Sequence, residues 1–77
     1  MALNKTLIVA IKANKTRLGK LYDTDAADLE YDDLIDHFRT ILPTVADCEE
    51  LYDMMYEEDE ANQGNITGEQ ILDILFP

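Results

Sequence analysis

Oxygen-bearing side chains in the stretch DEANQGNITGEQ, residues 59–70, fall at the spacing that wraps a backbone around a hard dication. Asp59 stands first, Gln63 fifth, Gly64 sixth, Asn65 seventh, Ile66 eighth and Gln70 twelfth. Glycine in the sixth place permits the sharp turn, because it takes positive φ without a Cβ clash. Calcium would then ask for about six to eight oxygens and several negative charges. This stretch offers one carboxylate from Asp59, an amide oxygen from Gln63 and the backbone carbonyl of Asn65. Ala61 in the third place has no side-chain oxygen, and the neutral Gln70 cannot match a charged, bidentate Glu. The turn is kept and the ligands are lost, so tight calcium binding is not expected.

A second stretch, YDTDAADLEYDD at residues 22–33, mirrors the first when Leu29 is set opposite Ile66. In that frame Tyr22, Thr24 and Ala26 occupy the first, third and fifth places, Ala27 replaces the glycine, and Asp33 closes one methylene short. Starting at Asp23 instead gains Asp25 but puts Leu34 at the closing place. Neither frame assembles a metal site. Two such loops can still meet back to back, with Leu29 and Ile66 exchanging backbone hydrogen bonds in a very short antiparallel bridge. Each apolar side chain would also plug the base of its own helix pair.

Catalytic chemistry has less to work with. His37 is the single histidine, expected toward the inward side of a helix and without a paired nucleophile. Cys48 is the single cysteine, so no internal disulfide can form; it lies on an apolar helix face and reads as a small core residue. The chain carries no glycine-rich phosphate loop and no metal-spaced His/Cys cluster. It reads as a non-enzyme.

Charge is unevenly spread. All seventeen Asp and Glu lie between Asp23 and Asp73, whereas Lys5, Lys12, Lys15, Arg17 and Lys20 crowd into the first twenty residues. The acidic remainder holds a single cation, Arg39, and a net charge of −16. Such a body repels nucleic acid and anionic membrane and attracts basic peptides. The apolar run Leu7–Ile11 is too short to span a bilayer or serve as a signal core, so a cytoplasmic location is expected.

The elements that would position these residues are helices. Asn4 can cap the first, with Leu7, Ile8, Ile11, Leu18 and Leu21 on one broad face that Asn14 and Lys15 interrupt. The second should span 31–41, turning Leu34, Ile35, Phe38, Ile41 and Leu42 inward until Pro43 ends it. Thr44 caps the third, which presents Val45, Cys48, Leu51, Tyr52 and Met55. Thr67 and Gln70 form a capping box for the fourth, expected to bury Ile71, Ile74 and Leu75 with Leu72 and Phe76 on its flanks. Residues 1–77 then make one all-α domain, a helix–loop–helix over about 4–42 followed by another over 44–77.

The stretch LPTVADCEELYDMMYEEDEANQGNITGEQILDIL joins a Pro43-Thr44-x-x-Asp47 helix start to a Gly64-x-Ile66-Thr67 turn and an apolar closing helix. In these features it resembles the calmodulin and myosin-light-chain group of EF-hand proteins, and the whole chain resembles one paired lobe. The resemblance implies a four-helix EF-hand pair with the very short β-bridge between its loops. With both loops emptied it implies a single-lobe light chain of an unconventional, class I myosin, needing no metal cofactor. Such a protein clamps and stiffens an IQ-motif helix of the heavy chain in the cytoplasm beside the actin cytoskeleton. It does so without calcium, nucleic acid or direct membrane contact, and is monomeric when free. Phe38, Leu42, Met55 and Leu75 would line its groove, and Asp47, Glu49, Glu50, Asp53 and Glu57 its acidic rim. Two other readings stay open: a calcium sensor with a residual non-standard site, and an acidic nucleic-acid mimic acting as an inhibitor.

Overall fold

The computed structural model describes the backbone of residues 3–28 and 30–77 and the side chains of residues 3–24 and 30–77. Five helices follow one another: α1 (Lys5–Ala13), α2 (Lys15–Asp28), α3 (Tyr31–Phe38), α4 (Val45–Ala61) and α5 (Gly68–Leu75). The fold is all-α, and no strand occurs among the described residues.

The expected first helix is in fact two. Asn4 caps α1 by accepting from the Leu7 N–H at 3.0 Å. At Asn14 the side-chain amide donates to the Ala10 carbonyl at 2.8 Å and the backbone leaves helical geometry, with φ −126° and ψ 24°. A side chain that satisfies a carbonyl one turn back competes with the backbone ladder, and here it breaks the ladder. Leu3, Leu7 and Ile11 still reach the core, so the break re-aims the helix without detaching it.

The larger departure concerns residues 22–33. Instead of a twelve-residue loop, α2 continues through Asp28 and α3 starts at Tyr31. Between Gly19 and Pro43 there is neither glycine nor proline to stop a helix, and the alanines at 26 and 27 favour one. Two residues are left between the helices, too few for a loop that could pair as a strand. Leu29, half of the expected bridge, lies outside the described residues; Ile66, the other half, is half-buried in a bend and not in a strand.

The second connection behaves as expected at its far end. Helix α4 runs on over Asp59, Glu60 and Ala61, and its last turn closes as the Gly64 N–H donates to the Asp59 carbonyl at 3.0 Å. Gln63 and Gly64 are both left-handed, with φ of 56° and 72°. Thr67 and Gln70 then form both hydrogen bonds of the capping box. On the entry side Thr44 accepts from the Asp47 N–H at 3.1 Å, starting α4 directly after Pro43. Helix α3 ends at Phe38, earlier than expected, and the chain tightens through Leu42, whose N–H reaches the Phe38 carbonyl at 2.9 Å.

One core joins all five helices. Ile11, Leu18, Leu34, Phe38, Leu42, Cys48, Leu51, Met55, Ile71 and Leu72 are fully enclosed. The most extensive helix pairing is α2 with α5, and it is closest where Gly19 meets Gly68. A Cβ added to either would strike the backbone of the other helix. That approach sets the rotation of α5 and overturns the expected inward face. Ile71, Leu72 and Phe76 are buried and Leu75 is half-buried, whereas Ile74 is 51% exposed. Val45, at the first turn of α4, is exposed too, as is His37.

Candidate functional site

Helix α4 carries most of the residues singled out in the sequence, and its two sides differ. At and beyond its C-terminal end, the first and last side chains of the emptied loop have other partners. Asp59 Oδ2 accepts the Tyr22 hydroxyl at 2.9 Å, and Gln70 Oε1 accepts the Thr67 N–H at 2.9 Å. Asp23 Oδ1, across the seam, accepts the N–H of Gly68 at 2.8 Å and satisfies one of the open donors at the start of α5. An open hollow of ≈ 360 Å³ sits here, lined by Tyr56, Asp59, Glu60, Gln63 and Gly64. Among the described residues no group of three or more His, Cys, Asp or Glu is placed to hold a metal ion.

The four expected groove residues come from α3, the α3–α4 connection, α4 and α5, and meet at one core. Phe38, Leu42 and Met55 are fully enclosed, so in this state they form interior and not groove. Leu75 alone reaches the surface, where it lines a cleft of ≈ 470 Å³ with Met54, Glu57 and Glu58. Met54 and Glu58 were missed as site residues. They stand one turn apart on α4, but only the docking of α5 brings Leu75 beside them.

The acidic rim divides. Asp47 is held at the cap by the Thr44 hydroxyl, which donates to its Oδ2 at 2.8 Å. Glu49 accepts from the Tyr31 hydroxyl at 3.4 Å, and Asp53 is exposed on the same side. Glu57 lies on the cleft side instead, and Glu50 is half-buried. Burial, and then the charges of Glu49 and Asp53, raises the Tyr31 phenol above its ordinary range. Burial also pushes the Cys48 thiol up to about 11, with Asp47 adding to the effect; a neutral thiol in the core is a poor nucleophile.

Opposite the acids, Lys15 Nζ pairs with Asp73 at 2.9 Å and the Thr16 hydroxyl donates to Glu69 at 2.7 Å. The basic start of α2 is thereby strapped along α5. No helix among the described residues is long and apolar enough to cross a membrane. No family model matches the chain, and neither a curated protein nor a solved structure matches it.

Proposed function

We propose that the chain is a calcium-independent helix-binding lobe, a variant of the EF-hand pair whose first loop is replaced by the continuation of α2, and that it acts as a single-lobe light chain of an unconventional myosin. The observation that carries this reading is the Met54–Leu75 cleft, an apolar floor walled by Glu57 and Glu58 and backed by the core. A basic amphipathic helix of the IQ type matches that chemistry, with Ile and Leu anchors for the floor and Lys or Arg for the walls. Met54 and Met55 adapt to such anchors because the thioether chain is unbranched and polarizable. To take a whole helix the lobe opens: α2 and α5 stay joined at their glycine seam while α3 and α4 pivot about the C-terminal end of α4, where Tyr22 holds Asp59. That motion uncovers Phe38, Leu42 and Met55. The Tyr22–Asp59 and Thr67–Gln70 hydrogen bonds support a loop that holds its shape by itself and is not switched by metal.

Binding of an IQ peptide in chelator, followed by stopped flow at low and moderate salt, tests the reading. Leu75→Glu should mainly raise the off-rate, at a cost of about 2 kcal/mol if the position is a hot spot. Charge reversal at Glu57 should mainly slow association, and less so as salt rises. If folded Leu75→Glu protein binds as the parent does while acid reversal abolishes binding, the acidic-mimic reading replaces this one. Calorimetry that finds calcium bound more tightly than about micromolar would promote the sensor reading instead.

A further inference from the structure

All four tyrosines of the chain converge on the other side of α4. The Tyr52 ring lies 5.8 Å from Tyr22 of α2, 5.0 Å edge-on from Tyr31 of α3 and 6.2 Å, stacked, from Tyr56. Tyr22 is buried, but Tyr31 and Tyr56 at the outer ends remain 39% and 47% exposed. Carboxylates alternate with the rings. At about 100° per residue, Glu49, Tyr52, Asp53, Tyr56, Asp59 and Glu60 share one arc of about 120° on α4. Two of these acids are tied to phenols, Asp59 to Tyr22 and Glu49 to Tyr31. Among the described residues no cation pairs with Asp53 or Glu60, and the basic cluster of the chain sits at α1 and the start of α2.

Packing alone accounts for Tyr22 and Tyr52. It does not account for two outer rings turned to water between carboxylates that repel one another. A planar cation answers both features, since a guanidinium stacks on an aromatic face and forks onto a carboxylate at the same time. An ammonium does the first less well and cannot do the second.

We propose that this tyrosine–carboxylate stripe is a binding surface for arginine side chains of a cationic peptide segment. One arginine enters the hollow beside Tyr56, between Asp59 and Glu60. A second stacks on Tyr31 between Glu49 and Asp53, about 13 Å away along the helix. The charges of Glu49 and Asp53, which add to burial in raising the Tyr31 phenol, are what this second arginine would neutralise. The surface lies across α4 from the Met54–Leu75 cleft, so it stands whether or not that cleft binds a helix.

The test uses the full chain with hexa-arginine and hexa-lysine peptides in about 150 mM sodium chloride, read by fluorescence anisotropy and amide chemical shifts. Hexa-arginine should bind severalfold more tightly, with shifts concentrated at residue 31 and residues 49–64. The double substitution Tyr31→Leu with Tyr56→Leu should weaken hexa-arginine about tenfold, about threefold per ring, and hexa-lysine less. Circular dichroism checks its fold. If that variant fails to fold, Asp53→Asn with Glu60→Gln is used, and it should weaken hexa-arginine more than hexa-lysine. Equal affinity for the two peptides overturns the proposal. So does a folded double-leucine variant, or in its place a folded double-amide variant, that binds hexa-arginine as the parent does.

Discussion

The two connections between helices, alike on paper, are built in opposite ways. Between α4 and α5 the chain spends six residues, two of them left-handed, and closes with a reciprocal capping box. Between α2 and α3 it spends two, and Glu30 at the start of α3 makes no side-chain capping bond. Acids at 32 and 33 favour that helix start only through the backbone dipole. A loop frame defined by one apolar position thus says little about loop length. What decides it is whether something stops the preceding helix. Asn62 does so after α4: its side-chain amide folds back onto the Glu58 carbonyl at 2.8 Å, ahead of Gln63 and Gly64.

The comparison can be broken hardest at the seam that couples both connections. Gly19→Val drives a branched side chain into the backbone at Gly68 and Glu69. It should cost about 3 kcal/mol or more, lowering Tm by at least about 12 °C in a domain this small. A melting curve within a few degrees of the parent would mean that α2 and α5 do not meet there. Next comes the face of α5 that the seam selects. Leu72→Ala should destabilise by about 2–5 kcal/mol in urea unfolding, whereas Ile74→Ala should stay within about 0.5 kcal/mol. The reverse order would restore the inward face expected from spacing.

The connections themselves give smaller and opposite effects. Thr67→Ala removes a working cap and should cost about 1 kcal/mol. Glu30→Asp supplies a cap where none acts, and a gain of about 0.5 kcal/mol is expected from the same unfolding series. Equal responses at the two sites would erase the distinction between them. The smallest effect is chemical. With its folded value raised above the ordinary thiol range, Cys48 favours the native state fully at neutral pH. That contribution should decline only as pH climbs from about 9 toward about 11. Alkylation at pH 8 should therefore be slow in the native protein and fast in urea; fast native labelling would place the thiol outside the core.

Residues that act on their near neighbours were legible in the sequence. Asn4, Thr44 and Thr67 cap helices because each bonds to an N–H three residues on; Pro43, expected to end a helix, stands five residues beyond the end of α3 and ends none. Asn14 marked a weak turn and turned out to break it by the same short-range bonding. The core positions Leu34, Ile35, Phe38, Cys48, Leu51 and Met55 followed from helical spacing, since each repeats on one side of its own helix.

Contacts across the chain were decided only by the tertiary structure. Spacing placed an apolar face on α5 but left its rotation open by a turn position, and the approach of Gly19 to Gly68 chose Leu72 over Ile74. No local signal paired Tyr22 with Asp59, 37 residues away, or Leu75 with Met54. The same holds for the four tyrosines, which meet because α2, α3 and α4 pack together. Local hydrogen bonding and periodicity act within a few residues, so one sequence displays them. The close packing of whole helix faces depends on every side chain at the interface at once, and it shows only when the helices have met.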